Sequence, residues 1–198
     1  PKAVYETLQV MNTLQPGLCV LGTRLPGCFN VFEMSVRAVL GQQITVKAAS
    51  TLAARLVAAY GTQVQTGIEG LTHSFPAPAA ILALGENISE HLGKLGIISA
   101  RANTIYQLAR VLADEKNDFG FWGNPEEEMQ KLQSIRGIGS WTAQYIAMRA
   151  MGWPDAFLPT DAGIKKALPD HTPKELQALS EAWRPWRSYA TVNLWNTL

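Results

Sequence analysis

The sequence predicts an all-α protein. Apolar residues recur at helical spacing through several stretches, helix start and stop signals punctuate them, and nothing alternates apolar with polar long enough to build a sheet. With 198 residues the chain suffices for one substantial domain, or for two small lobes sharing a core.

The first strong helix is expected over residues 31–42, with Phe32, Val36, Val39 and Leu40 at helical spacing. A second starts near Thr45, uses Val46, Ala49, Leu52, Leu56 and Val57, and ends at Tyr60-Gly61, where glycine suits a left-handed cap. Residues 62–78 are rich in Gly, Thr, Ser and Pro and read as a loop, the natural place for a hinge or an insertion. Short helices follow over 78–84 and 89–95, with Gly96 as a stop. Ser99 then caps a longer helix to about Asp114, carrying Ala102, Ile105, Tyr106, Leu108, Ala109 and Leu112. Residues 116–123 read as a second loop. Asn124-Pro125-Glu126-Glu127 is a helix start, with a cap residue, proline at the first helical position and acids in the first turn. Thr172-Pro173-Lys174-Glu175 has the form of a capping box. There is no internal repeat and no low-complexity tract.

Composition narrows the class. Hydrophobic residues make up 47% and charged residues 17%, as in a folded globular protein, which excludes wholesale disorder. No apolar run approaches the roughly 18 residues of a membrane span, and no basic-then-apolar leader opens the chain. The chain begins at Pro1 rather than Met, as expected of a mature form or an excised piece. A net charge of +1 argues neither for nor against a nucleic-acid partner. Two cysteines, Cys19 and Cys28, with scattered His73, His91 and His171, make no zinc site, and an iron–sulfur cluster wants about four thiolates. Reduced thiols are the simpler reading, with a single disulfide left open.

The most informative stretch is Leu132-Gln133-Ser134-Ile135-Arg136-Gly137-Ile138-Gly139-Ser140-Trp141-Thr142-Ala143. A helix ends, the chain turns through Gly-Ile-Gly, and a new helix begins at Ser140. Glycines at 137 and 139 let the main chain approach a ligand closely. The helix start beyond them offers unpaired N–H groups and the positive end of a dipole, a site for a DNA phosphate that reads no sequence. A lone G-x-G equally describes a tight turn between packed helices. The apolar pattern around it, Leu132 and Ile135 before, Trp141, Thr142, Ala143, Tyr145 and Ile146 after, favours the phosphate site.

With these flanks, residues 132–148 resemble the helix-hairpin-helix of the DNA glycosylase superfamily, and Phe157-Leu158-Pro159-Thr160-Asp161 resembles the loop carrying its catalytic aspartate. Residues 32–43 (FEMSVRAVLGQQ) and Trp183-Arg184-Pro185-Trp186-Arg187-Ser188-Tyr189-Ala190 are similar to the branch that removes alkylated bases, the 3-methyladenine DNA glycosylase II type. The resemblance runs over residues 25–198. It implies a two-lobed helix bundle forming one catalytic domain over residues 1–198, with the active-site cleft between lobes. Residues 30–120 would form one lobe with the hairpin at 125–150, and the N-terminal segment plus 151–198 the other. Relatives of this type often carry an N-terminal antiparallel lobe, for which the sequence before Leu25 is too short.

The resemblance further implies a reaction and its residues. Asp161 would be the catalytic carboxylate, although an acid at that point is also an ordinary helix cap. Cleaving an N-glycosidic bond passes through an oxocarbenium-like state that a nearby anion stabilises. An N-alkylated purine is already cationic and needs no strong general acid. Relatives that also cut the backbone carry a Schiff-base lysine at the position of Trp141, so a monofunctional enzyme leaving an abasic site is expected. Trp141, Tyr145 and Trp195 would line the pocket for a flipped base, favouring a cationic one. Trp183 and Trp186 are left to the core and the surface. Arg136, Gly137, Ile138, Gly139 and Ser140 would form the phosphate-binding hairpin. Gln43 occupies the position of the side chain that fills the vacated stack, where the alkyl-base branch typically has an apolar residue. Thr160 and Arg136 also depart from the family pattern, which often shows aspartate and proline there. Backbone carbonyls of Gln133, Ile135 and Ile138 would hold a structural Na+ or K+, with no catalytic cofactor. Lys165, Lys166, Arg184 and Arg187 are further candidates for phosphate contact, or simply a solvated face. The expected partner is double-stranded DNA bearing alkylated bases, met by a monomer with no membrane association. Its compartment would be the cytoplasm of a bacterium or the nucleus of a eukaryote. The alternatives are a non-catalytic helix-hairpin-helix clamp, which would need neither Asp161 nor the aromatics, and a glycosylase for oxidised or mismatched bases.

Overall fold

The computed structural model describes residues 2–14, 16–113 and 124–198. Its helices are α1 (Lys2–Leu14), α2 (Val31–Leu40), α3 (Val46–Tyr60), α4 (Pro78–Leu82), α5 (Ile88–Gly93), α6 (Ser99–Leu112), α7 (Pro125–Ser134), α8 (Ser140–Ala150), α9 (Ala162–Ala167), α10 (Pro173–Ser180) and α11 (Arg187–Trp195). Short 3-10 turns occupy Gly85–Asn87 and Glu181–Trp183. The capping grammar explains where many of them start. Asn124 accepts from the Glu126 amide at 3.0 Å, and Thr172 and Glu175 exchange bonds of 2.7 and 3.3 Å in a complete capping box. Asn30 and Thr45 cap α2 and α3 in the same way. Each such cap contributes about 1 kcal/mol.

Four local expectations need correction. Ser99 is the first helical residue of α6 rather than its cap; the cap position is Ile98, which offers no side-chain acceptor. Gly61 is extended (φ −71°, ψ 158°), because the chain runs straight from α3 into strand β1. Glycine is needed there for space: a Cβ would strike the carbonyl oxygens of Ser74 and Val57. Residues 62–78 are not all loop, since β1 (Thr62–Gln63) pairs antiparallel with β2 (His73–Ser74). Two residues per strand are too few to show alternation. Helix α1 had no anticipated counterpart, yet its Leu8 and Met11 are buried. Asp114, the expected end of the helix that begins at Ser99, and the expected loop over 116–123 lie outside the described residues.

The buried side chains fall into two clusters. One is built by α2 to α8 around Val36, Leu40, Leu56, Ile105, Leu132 and Ile146. The other gathers Leu8 and Met11 of α1 with Phe157, Leu158, Ile164, Leu176, Trp183 and Leu194. Tyr145 and Trp153 pack against both, so α8 marks the seam. Trp183 belongs to the core at 1% exposure, packed edge-on against Phe157; Trp186 is half-buried against Tyr189 rather than on the open surface. Cys19 and Cys28 are free thiols, and burial pushes Cys19 up to about 11.

Under the second cluster lies an ion pair. Arg187, 5% exposed, donates through Nε to Asp155 Oδ1 (2.7 Å) and through Nη2 to Oδ2 and the Asp155 carbonyl (both 2.9 Å). Arg184 also reaches Asp155, and Glu181 bonds both arginines. The expectation that Arg187 meets phosphate is therefore corrected: its guanidinium is committed inside the fold. Arg184 is half-exposed but committed to the same carboxylates. No described helix is long and apolar enough to cross a membrane.

Candidate active site

Helix α7 ends at Ser134, Ile135 turns extended, and Gly137 takes φ +95°, a conformation that side-chain-bearing residues rarely adopt. Close packing adds a second demand for glycine, because a Cβ on Gly137 would overlap the Thr104 hydroxyl. That hydroxyl donates within hydrogen-bonding distance of both the Arg136 carbonyl (2.9 Å) and the Ala100 carbonyl (3.0 Å), tying the hairpin to α6. From the other side, Gln42 donates to the Gly137 carbonyl and to the Thr142 hydroxyl, both at 2.9 Å. Gly139 is the N-cap residue of α8, and no side chain caps it. The first N–H groups of α8 therefore have no intrahelical or side-chain acceptor, while Arg136, Gly137, Gly139 and Ser140 are exposed and Ile138 is buried as the hairpin's anchor.

Arg101 donates to the Gln42 carbonyl, and the next residue, Gln43, is exposed with φ +55°. A non-glycine residue held in this region stores about 1–3 kcal/mol of strain, which is characteristic of functional loops.

One helical turn into α8, Trp141 and Tyr145 project together and stack, with centroids 5.3 Å apart and planes 13° from parallel. This is the geometry of an i, i+4 pair. The two rings thus form one continuous aromatic face on α8. Trp195, at the end of α11, tilts against Tyr145 at 6.2 Å, and the Arg149 guanidinium stands 5.7 Å from the Tyr145 centroid. Arg149 also donates to the Pro26 carbonyl, pinning the loop that precedes α2.

Asp161 lies against this aromatic wall. It is the N-cap residue of α9, and its Oδ1 accepts from the amides of Gly163 (2.8 Å) and Ile164 (3.0 Å). The indole N–H of Trp195 reaches the same oxygen at 2.8 Å, and that of Trp141 reaches Oδ2 at 3.0 Å. Asp161 is half-buried, so a carboxylate fixed by four donors remains partly open to solvent. The structure thus brings Asp161, Trp141, Tyr145 and Trp195 together, sets the hairpin at the start of the same helix as the two α8 aromatics, and couples Gln43 to the hairpin through Gln42.

Residues 36–186 match the family of HhH-GPD superfamily base excision DNA repair proteins. The chain belongs to that superfamily. Its whole length is 36% identical to DNA-3-methyladenine glycosylase 2 of Escherichia coli, spanning 66% of that protein, and 41% identical to a probable bifunctional transcriptional activator/DNA repair enzyme AlkA of Mycobacterium tuberculosis, spanning 40% of it. Among solved structures, a 3-methyladenine DNA-glycosylase from Archaeoglobus fulgidus superposes with a TM-score of 0.79 at 25% identity, over 98% of this chain and 68% of that one. The chain spans less than two thirds of the length of the two sequence relatives. The HhH-GPD match runs from α2 through the hairpin and Asp161 to Trp186, so it covers the site except Trp195.

Several participants carried no clear sequence signal. Thr104 is one polar residue inside α6, and Arg101 and Arg149 are ordinary helix cations until the fold places them. Gln42 is one more polar residue beside Gln43, and the signal at Gly163 is a glycine in the first turn of a helix.

Proposed function

We propose that the chain is the catalytic unit of a monofunctional DNA glycosylase that releases alkylated, cationic purines such as 3-methyladenine from duplex DNA. The observation that carries this reading is the fixed carboxylate of Asp161 against an aromatic wall, in a chain of the base excision repair superfamily. A non-catalytic clamp would use the hairpin and have no call for either feature.

The hairpin, with Arg136, Gly137, Gly139 and Ser140 exposed and Ile138 anchoring it from inside, offers its backbone and the open N-terminus of α8 to a phosphate. Gln43 enters the stack and its amide bonds the widowed base. The target nucleotide swings out to the wall of Tyr145, Trp141 and Trp195, whose electron-rich rings favour a cationic purine. The C1′–N bond then breaks heterolytically. The base departs with the bonding pair, which neutralises its positive charge, and the sugar becomes oxocarbenium-like. Asp161 stabilises that cation without forming a bond to it. Water adds at C1′ and gives up a proton, leaving an abasic site. Trp141 has no amine to condense with the opened sugar, so the strand stays intact.

The carbonyls of Gln133, Ile135 and Ile138 are the hard oxygen donors that Na+ or K+ prefers, at a helix end where carbonyls lack helical partners. The Ile135 carbonyl accepts the Ile138 amide at 3.0 Å and retains a lone pair. The residues fit a monovalent ion that would stiffen the hairpin; no catalytic step passes through it. Incubation with methylated duplex DNA tests the reading. Free 3-methyladenine should appear with no strand break until base or heat is added, whereas direct strand scission would contradict it.

A further inference from the structure

We propose that Trp195 and Gly163 act as a pair of positioning residues that lock Asp161, so that Oδ2 alone is presented to the sugar. The inference rests on the glycosylase reading of Asp161. A carboxylate has about four lone-pair sites, two per oxygen. Oδ1 already receives three donors, from the Gly163 and Ile164 amides and the Trp195 indole, while Oδ2 receives one, from Trp141. Oδ1 is saturated and Oδ2 has capacity left. The two amides are what any capping aspartate collects. The Trp195 bond is different, because it arrives from α11, 34 residues along the chain, and fixes the carboxylate against rotation.

Gly163 makes that bond available. A Cβ at this position would lie 2.7 Å from Trp195 Cδ1 and 3.0 Å from both Trp195 Nε1 and Asp161 Oδ1. A side chain there would crowd both members of the bond, and the nearer one, the Trp195 ring, would have to shift. Gly163 is not in the left-handed region, so conformation does not call for glycine there. Glycine within a helix is less favourable than alanine, and room for the Trp195 ring is the reason the structure offers. Trp195 is thus more than a face for the base: its N–H sets which carboxylate oxygen is free.

The test compares the parent with Trp195→Phe, which keeps a ring and removes the N–H, Gly163→Ala, which displaces the ring, and the double variant. Enzyme in excess over methylated duplex gives the single-turnover rate of 3-methyladenine release, and a duplex with an abasic-site analogue gives binding. Each single variant should slow release by about ten- to a hundredfold with binding within about threefold, as misplacement of a reacting group does. The double variant should be no slower than Trp195→Phe, since both changes remove one contact. An unchanged rate in Trp195→Phe, or losses that multiply, would overturn the proposal. Indole N–H resonances in 15N spectra give a readout free of activity. The Trp195 signal should move in both Gly163→Ala and Asp161→Asn, and the Trp141 signal chiefly in the latter; a Trp195 signal unmoved by either change would refute the contact. A parent that releases no base would sink the glycosylase reading alone, leaving the resonances to decide the geometry.

Discussion

Asp161 performs two tasks with one side chain. As a cap it satisfies two amides of α9; as a carboxylate held also by two indoles it is a fixed anion at the aromatic wall. Gln43 shows the opposite arrangement, a residue whose backbone is strained where its side chain is free. Gln43→Gly should relieve that strain and raise stability by about 1 kcal/mol, while base release slows because nothing fills the vacated stack. Thermal unfolding and a release assay check both directions, and a variant that is less stable or fully active would contradict the assignment. At this scale the sequence exposed the capping aspartate and the glutamine, but not their partners. The indole donors to Asp161 stand 20 and 34 residues away, a pairing that only the fold creates by bringing the start of α8 and the end of α11 to the N-cap of α9.

The hairpin is an element whose shape depends on its neighbours as much as on its glycines. Gly137 needs both a positive φ and the absence of a Cβ beside Thr104. Gly137→Ala should cost about 2–3 kcal/mol, lowering the midpoint by several degrees for a chain of this size, and should weaken binding to undamaged duplex as the turn opens. A variant of parental stability would show that the turn adapts freely. The glycines and the apolar flanks made this element legible in the sequence, as Asn124 and Thr172 did for the starts of α7 and α10. Gly61 misled because a glycine after a helix usually marks a left-handed cap, whereas here carbonyl crowding requires it. The short ribbon was illegible because two-residue strands carry no period.

Across the whole molecule, two apolar clusters meet at α8, and Asp155 with Arg187 braces the second from inside. Arg187→Ala should cost about 3 kcal/mol, because it leaves the buried Asp155 carboxylate with half-exposed Arg184 as its remaining guanidinium partner, whereas Lys165→Ala on the exposed face should stay within about 0.5 kcal/mol. Denaturant unfolding separates the two, and equal effects would refute the structural role of Arg187. Charge type alone could not distinguish these cations in the sequence; burial does. The central claim, that Asp161 of this chain drives base excision, meets its most direct test in one comparison. Parent and Asp161→Asn are incubated with methylated duplex DNA, free base is measured, and affinity for abasic-site DNA is measured alongside. The account predicts release of 3-methyladenine by the parent and a loss of about a thousandfold in the variant, with abasic-site binding retained. A variant that releases base at the parental rate, or a folded parent that binds DNA and releases none, would contradict it.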